Sequence, residues 1–265
     1  MKKKKKMKKM MILTAVARPL RRSGLFLALF VFVASTAAGQ GSPEGESSFS
    51  AGVVHLREGR PDLALAEFKR AVKADGKNPY FRKGLGSAYA AKRDWKNAIE
   101  AFRRALELNP YYADVRNDLG MALINSGERE AGKGELLGAY SDPMNPTPEI
   151  TAYNLGFAYS EERNYQEAAN WYRTSIGRNK SNPLPHIELA NVLVATGRIE
   201  EAVAQLEAGV AASPEEPTLV LALGLAYFKA GRFTEARTRL EEALRKDPAG
   251  PAGRAAAEQL KALPR

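Results

Sequence analysis

The chain has 265 residues, of which 45% are hydrophobic, and it carries 40 Lys+Arg against 30 Asp+Glu, for a formal net charge of +10. This hydrophobic fraction is typical of a folded protein and excludes a wholly disordered chain. The absence of cysteine excludes disulfides, thiolate metal sites, cysteine nucleophiles and a lipidated N-terminal cysteine.

The positive charge is concentrated in the first 39 residues. They contain ten Lys and Arg and no Asp or Glu, so residues 40–265 carry 30 residues of each sign. An uncharged apolar run, 24–38, follows the basic stretch and ends in small residues. This is the pattern of a secretory signal peptide. We therefore predict a signal peptide over 1–39, a linker over 40–44 and an exported, periplasmic protein without a nucleic-acid partner.

The same apolar run could instead be retained as an inner-membrane anchor. Its 15 uncharged residues are fewer than the roughly 20 that span a bilayer. The basic flank places the N-terminus in the cytoplasm in either case. The sequence leaves open whether the leader is cleaved. Contact with a membrane is expected only if it is not cleaved, in which case 24–38 would be the anchor.

From residue 45 onward the sequence repeats. Related units begin at 45, 79, 113, 149, 183 and 217, so consecutive units are 34 residues apart except for one spacing of 36. Position 8 of the repeat holds a small residue in every unit: Gly52, Gly86, Gly120, Gly156, Ala190 and Gly224. Position 24 holds a large one: Phe68, Phe102, Leu136, Tyr172, Leu206 and Leu240. Small residues at positions 8, 20 and 27 would let two antiparallel helices approach closely, and large residues at 7, 11 and 24 would fill the space between them.

This pattern resembles the tetratricopeptide repeat (TPR) family over about 45–250. The resemblance implies an all-α fold, a right-handed superhelix of about six helix-turn-helix repeats. We expect repeats 1–3 over 45–146, repeats 4–6 over 147–250 and a capping helix over 251–265, since a solenoid end needs a polar outer face.

The sequence contains no arrangement typical of an enzyme or a cofactor site. The two histidines, His55 and His186, stand alone at packing positions, so we predict core residues and no metal site. The run from Gly127 to Lys133 matches part of a phosphate-binding loop, but Gly134 replaces the Ser or Thr that would bind magnesium. No nucleophile–base pair is recognisable. We therefore predict a non-enzymatic protein without cofactor.

The resemblance to the TPR family also implies a binding surface, because first helices in this family line a concave groove, mainly through positions 2, 5, 9, 12 and 13. In the C-terminal half of this chain the predicted groove is largely apolar: Tyr153, Phe157, Ile187, Asn191, Val194, Leu221, Leu225 and Phe228. In the N-terminal half it is mixed: Lys83, Ser87, Asn117, Met121, Ile124 and Asn125. The apolar half would suit an extended segment or amphipathic helix of a protein partner. The alternative for Leu221 and Leu225 is packing against neighbouring repeats.

The single irregular spacing falls between the third and fourth units. The predicted second helix of the third unit contains Gly132, Gly134 and Gly138, each costing about 1 kcal/mol relative to alanine in a helix interior. The proline-rich segment 141–148 that follows cannot stay helical. We expect a weak point or hinge here, dividing 45–146 from 149–265; the alternative is a longer loop in a rigid stack.

Six TPR units behind a secretory signal, with a break at Asp142 to Pro148, resemble the TPR proteins of type IV pilus biogenesis. Those proteins sit at the outer membrane and help a secretin pore to assemble, the pilotin role. They are commonly lipoproteins with a cysteine after the signal, which this chain lacks. The resemblance implies an envelope assembly factor whose partner is a secretin or pilus component. The alternative is an inner-membrane-tethered scaffold that organises cell-wall or secretion enzymes.

Overall fold

The computed structural model describes residues 42–264, and within that range it contains thirteen α-helices and no strand. The predicted signal peptide, 1–39, lies outside the described residues. The all-α TPR fold predicted from the repeat is confirmed. In chain order the helices are α1 (Pro43–Arg57), α2 (Pro61–Ala74), α3 (Pro79–Ala91), α4 (Trp95–Leu108), α5 (Ala113–Ser126), α6 (Arg129–Ser141), α7 (Pro148–Glu161), α8 (Tyr165–Arg178), α9 (Pro183–Ala195), α10 (Ile199–Ala212), α11 (Pro217–Lys229), α12 (Phe233–Lys246) and α13 (Pro251–Lys261).

The described chain divides into two compact units, 42–158 and 159–264. The division falls near the C-terminal end of α7, whereas the sequence placed its weak point at the proline-rich segment before α7. In the first unit α1 pairs with α2, α3 with α4 and α5 with α6. In the second unit α9 pairs with α10 and α11 with α12.

Close approach of paired helices depends on the small residue at repeat position 8. A Cβ atom added to Gly86 would lie 2.5 Å from the Phe102 ring, and one added to Gly224 would lie 2.9 Å from Leu240 Cγ. Neither contact is sterically possible without movement of the helices. The large residues at position 24 fill the space that the glycines leave, and Phe102 and Leu240 are both buried.

All six inter-helix turns contain a left-handed residue at repeat position 15. Four of them are glycines, with φ between 68° and 99°: Gly59, Gly127, Gly197 and Gly231. The other two are Arg93 (φ 61°) and Arg163 (φ 60°). In every turn the following N–H donates to the carbonyl at position 11, as in Asp94 N to Tyr89 O, 2.9 Å. This bond closes the first helix and fixes the left-handed residue.

First helices begin at a proline preceded by a capping side chain in four of the six repeats, including α1, where Ser42 Oγ accepts from Gly45 N. Asn78 and Asn182 accept hydrogen bonds from the backbone N–H groups of Tyr80 and Leu184. Glu216 caps α11 through Thr218 N. Proline is favoured here because the first N–H of a helix has no intrahelical partner.

The irregular segment between α6 and α7 is held by hydrogen bonds. Asn145 is buried; its Nδ2 donates to Ala139 O (2.8 Å) and to Thr151 Oγ1 (3.1 Å), and its Oδ1 accepts from Thr147 N (2.9 Å). The backbone N–H of Asn145 also donates to Asp142 O. These contacts do not test whether the segment bends, so the hinge stays a prediction. Hydrogen exchange that is no faster across 130–148 than in the neighbouring repeats would contradict it.

The last helix covers the end of the second unit. α13 contacts both α11 and α12, and its Ala252 and Ala256 are buried there. The carboxylate of Asp247 accepts a hydrogen bond from Ala252 N at 2.9 Å, which satisfies a donor in the first turn of α13. Arg254 and Glu258 lie on its exposed face.

Candidate partner-binding site

The eight residues predicted to line the apolar groove lie in both compact units. Tyr153 and Phe157 are half-buried residues of α7 in the first unit. The other six are in the second unit, on α9 and α11, which contact each other: Ile187, Asn191, Val194, Leu221, Leu225 and Phe228.

Leu221 and Leu225 are packing residues, so their assignment to a groove was wrong. Leu221 is 0% exposed and Leu225 is 2% exposed. The physical reason is that α11 is contacted by α9, α10, α12 and α13, which together cover most of its surface. Helical periodicity does not reveal this, because any leucine on a first helix fits the groove pattern until the covering helices are known.

In the second unit, the face predicted to line the groove contains a hydrogen-bond acceptor without a donor, Oδ1 of Asn191. Asn191 is half-buried, and its Nδ2 donates to Glu188 Oε2 at 3.2 Å. Its Oδ1 is buried and accepts no hydrogen bond within the described residues. A buried acceptor without a donor costs about 1–3 kcal/mol. Because the oxygen is buried, the N–H group of a partner does not reach it in this conformation. Ile187, close to fully buried, and half-buried Val194 lie one helical turn to either side.

Phe228, near the C-terminal end of α11, packs against the ring of Phe233. Its ring centroid lies 5.7 Å from that of Phe233, at an interplanar angle of 59°. Phe233 is 41% exposed and begins α12. The predicted groove did not include Phe233, because the groove pattern consists of first-helix positions and Phe233 starts a second helix. Phe228 and Phe233 form an exposed aromatic contact of the kind enriched at protein interfaces.

The corresponding face of α3 and α5, in the first unit, is largely polar. Lys83 Nζ lies 3.5 Å from Asp114 Oδ2 and 5.2 Å from the centre of the Tyr112 ring. Asn154 Nδ2 donates to Asn117 Oδ1 at 3.0 Å, which joins α7 to α5. Of the other residues predicted for this half, Ser87 and Ile124 are buried.

Two titratable groups of this polar face are perturbed. Burial raises the pKa of the Asp118 carboxyl to about 6; Lys83 opposes the shift and the charge of Asp114 adds to it. Burial also raises the pKa of Tyr112 well above its usual range, with the nearby Tyr80 and Asp114 acting in the same direction. Asp118 therefore titrates close to neutral pH, while Tyr112 stays protonated there.

Of the two histidines predicted to be core residues, only His186 is buried; His55 is half-buried, with its Nδ1 3.6 Å from Glu58 Oε2. His186 is buried against Gly209, where an added Cβ would lie 3.0 Å from the imidazole ring. Its Nε2 lies 3.0 Å from Lys180 O, and Gln205 Nε2 lies 2.7 Å from its Nδ1. No group of three or more potential metal ligands occurs between residues 42 and 264. The helices of that same range are all too short or too polar to cross a membrane.

The sequence matches profiles of the tetratricopeptide repeat over 49–113, 151–182 and 187–251, which together span more than half of the chain. Anaphase-promoting complex subunit 3 of Schizosaccharomyces pombe is 22% identical over 161 residues, covering 61% of this chain and 24% of that protein. The type IV pilus assembly protein PilF of Pseudomonas aeruginosa is 24% identical over 142 residues, covering 54% of this chain and 56% of that protein. The chain thus spans between a quarter and about half of the length of these relatives.

Two solved structures of pilus proteins share the fold. The PilF structure superposes with a TM-score of 0.64 at 18% identity, covering 83% of this chain and all of that one. PilW, a widely conserved type IV pilus biogenesis factor, gives a TM-score of 0.68 at 20% identity with the same coverage. At these identities the likeness is evidence of a common fold.

Proposed function

Because the chain belongs to the tetratricopeptide repeat family, we propose that it is an exported, non-enzymatic scaffold that binds protein partners through its first helices. We further propose that it serves as an assembly factor for a type IV pilus or a related secretin-containing envelope machine. Proteins of this family provide protein-interaction surfaces. The finer assignment to an envelope machine rests on the similarity to PilF and PilW and on the proline-rich break at Asp142 to Pro148.

The observation that carries the binding proposal is the set of partly exposed apolar side chains on the second unit, namely Val194 and the Phe228–Phe233 pair. An extended partner segment presents backbone N–H groups at regular spacing, with side chains alternating between them. Val194, Phe228 and Phe233 would contact apolar side chains of the segment. Partly exposed aromatic anchors are typical of surfaces that recognise protein partners.

The pilus assignment is supported by similarity to PilF and PilW, whose folds cover 83% of this chain. It is supported as well by the proline-rich break at Asp142 to Pro148, at the join where the repeat spacing changes. Because this chain has no cysteine, it cannot carry the N-terminal lipid that a cysteine would accept. We propose that it acts in the periplasm, because the basic stretch and the apolar run 24–38 form the pattern of a secretory signal peptide.

The binding proposal is tested by capture experiments with the full chain. Phe157→Ser and Phe228→Ser should each lower capture of secretin or pilus subunits from the envelope fraction by about tenfold, because truncating an aromatic anchor costs 1–2 kcal/mol or more. Leu63→Ser is the matched control, since Leu63 is an exposed apolar residue of the second helix α2. Circular dichroism should be unchanged in all three. Undiminished capture by both Phe variants would refute the groove, and capture without secretin or pilus subunits would refute the pilus role.

Export is tested separately by N-terminal sequencing of the protein from cells. A start near Gln40 would support a cleaved leader and a periplasmic protein. An intact 24–38 segment would favour the alternative, a scaffold tethered to the inner membrane.

A further inference from the structure

A group of charged and aromatic side chains on α3 and α5 belongs wholly to the first unit. Lys83 Nζ lies 3.5 Å from Asp114 Oδ2 and 5.2 Å from the centre of the Tyr112 ring. The Tyr112 ring meets the ring of Tyr80 edge to face, with 5.3 Å between the centroids. Asp118 follows Asp114 by one helical turn, and Lys83 and Asp114 both act on its pKa. We call these five residues the polar site.

The polar site is accessible to a ligand. The side chains of Lys83 and Asp114 are each 28% exposed, and Asp118 is half-buried. Tyr80 is 47% exposed, so its ring presents an apolar surface beside the charged groups. A ligand can therefore contact both the carboxylates and an aromatic ring of the polar site.

Two carboxylates share one ammonium group in the polar site. Lys83 makes its ion pair with Asp114, whereas Asp118 makes no ion pair in the part of the chain that the structure describes. Asn117 supplies Asp118 with a hydrogen bond but with no charge. When Asp118 is ionised, the polar site therefore has one negative charge in excess.

The helices around α5 do not neutralise this charge. Between residues 42 and 264, the charged groups that shift the pKa of Asp118 are Lys83 of α3 and Asp114 of α5 itself. α7 contributes a neutral amide, that of Asn154, and α4 shares an apolar core with α5. α6 packs against Gly120, which lies on the other side of α5.

This charge favours a cation as the ligand of the polar site. Lys83 opposes the rise in the pKa of Asp118, and Asp114 adds to it, so a second cation beside Asp118 would stabilise its ionised form. An anionic ligand would meet two carboxylates. A metal ion would lack ligands, because no group of three or more potential metal ligands occurs within 42–264. The Tyr80 ring adds a surface on which the stem or head of a basic side chain can lie.

We propose that the polar site binds a Lys or Arg side chain of a protein partner, with Asp118 and Asp114 as its counter-ions and the Tyr80 ring as its support. This inference rests on the proposed role in binding protein partners and adds a second chemistry to it. The second unit would contact apolar side chains, and the first unit would contact a basic one. Because the cation requires ionised Asp118, binding should weaken as the pH falls through about 6.

The proposal is tested with a phage-displayed library of random peptides, selected on the full chain at pH 7.5. We expect a class of enriched peptides that contain Lys or Arg, and replacing that residue by Gln should lower their affinity about tenfold. Their affinity should also fall about tenfold between pH 7.5 and pH 5, because the ionised fraction of a carboxyl with a pKa of about 6 falls by that factor.

Asp118→Asn keeps the shape of the side chain and removes its charge. At pH 7.5 it should lower the affinity of these peptides about tenfold, and it should abolish the pH dependence. The matched control is Asp62→Asn, which removes an exposed carboxylate paired with Lys92 on the surface and should change neither. Circular dichroism of both variants confirms that they are folded.

Phe228→Ser separates the polar site from the apolar surface of the second unit. It should leave the affinity of the basic peptides unchanged, and peptides that depend on Phe228 report on the apolar surface alone. The proposal is overturned if no enriched peptide depends on Asp118, if those that do contain no Lys or Arg, or if Asp62→Asn weakens them equally. Peptides that depend on Asp118, in a selection where none depends on Phe228, would support the polar site and contradict the apolar surface.

Discussion

The first helices of the two compact units carry different chemistry on the same repeat framework. At position 5, α3 and α5 of the first unit have the partly exposed Lys83 and Asn117, whereas α9 and α11 of the second unit have the buried Ile187 and Leu221. Position 8, by contrast, holds a small residue in both units, since a larger side chain would meet the second helix. The comparison teaches that helix-to-helix contact leaves little choice at position 8, while position 5 is polar where it stays accessible and apolar where neighbouring helices bury it.

The second helices of the two units differ as well. The α6 helix of the first unit contains Gly132, Gly134 and Gly138, whereas α12 of the second unit has Ala236, Leu240 and Ala243 buried. An added Cβ on Gly132 would lie 2.6 Å from Gly120 O, but one on Gly134 would meet no atom within 4 Å. Only some of the glycines in α6 are therefore required by packing.

The largest effect should come from adding one methyl group to α6. Gly132→Ala should lower the free energy of unfolding by about 2–3 kcal/mol, because the methyl group would force α5 and α6 apart. Gly134→Ala should raise it by about 0.5–1 kcal/mol, because alanine favours the helix and nothing obstructs its side chain. Urea unfolding followed by circular dichroism measures both. Equal effects of the two substitutions would mean that propensity, not packing, limits α6.

The next effect concerns the polar face of the first unit. The folded pKa of Asp118 is raised from 3.8 to about 6, so the folded state holds this proton more tightly than the unfolded state does. The contribution of Asp118 to stability is therefore greatest below pH 4, falls as the pH rises from about 4 to 6, and is lost above pH 6. Asp118→Asn should remove this loss and raise stability at pH 7.5 by about 1–2 kcal/mol, less than the full shift because the attraction of Lys83 is also lost.

Melting temperatures at pH 4.5 and pH 7.5 measure the effect of Asp118→Asn. The matched control is Asp62→Asn, since Asp62 is exposed and pairs with Lys92 at the surface. It should change the pH dependence little. A pH dependence that survives Asp118→Asn would show that another group is responsible.

The smallest effect should be shared by the two units, because each has one arginine in a left-handed turn. Arg93→Gly and Arg163→Gly should each raise stability by about 0.5–1 kcal/mol, since glycine adopts positive φ without the steric cost that a Cβ brings. Gly127→Ala and Gly197→Ala, the reverse changes in one turn of each unit, should cost about 1 kcal/mol. A destabilised Arg→Gly variant would indicate that the arginine side chain contributes more than its backbone conformation costs.

Much of the fold was predictable because packing constrains so many positions at once. A spacing of 34 residues with small and large residues in register leaves few arrangements other than paired helices, and the family and the all-α fold are both confirmed. The left-handed turn was visible as glycine in four units, but Arg93 and Arg163 concealed it in two. The hydrogen bonds of Asn145 could not be predicted, because they join a turn to two helices through side-chain geometry.

The sequence by itself determined the repeat, its register and the residues that must be small, since these follow from the steric rules of close helix packing. The tertiary structure decided which first-helix residues remain accessible. It buried Leu221 and Leu225 under neighbouring helices, left Asn191 Oδ1 without a donor and exposed Met144 on a fixed turn. Which residues are accessible depends on the helices that pack over them. The periodicity of one helix does not show which helices those are.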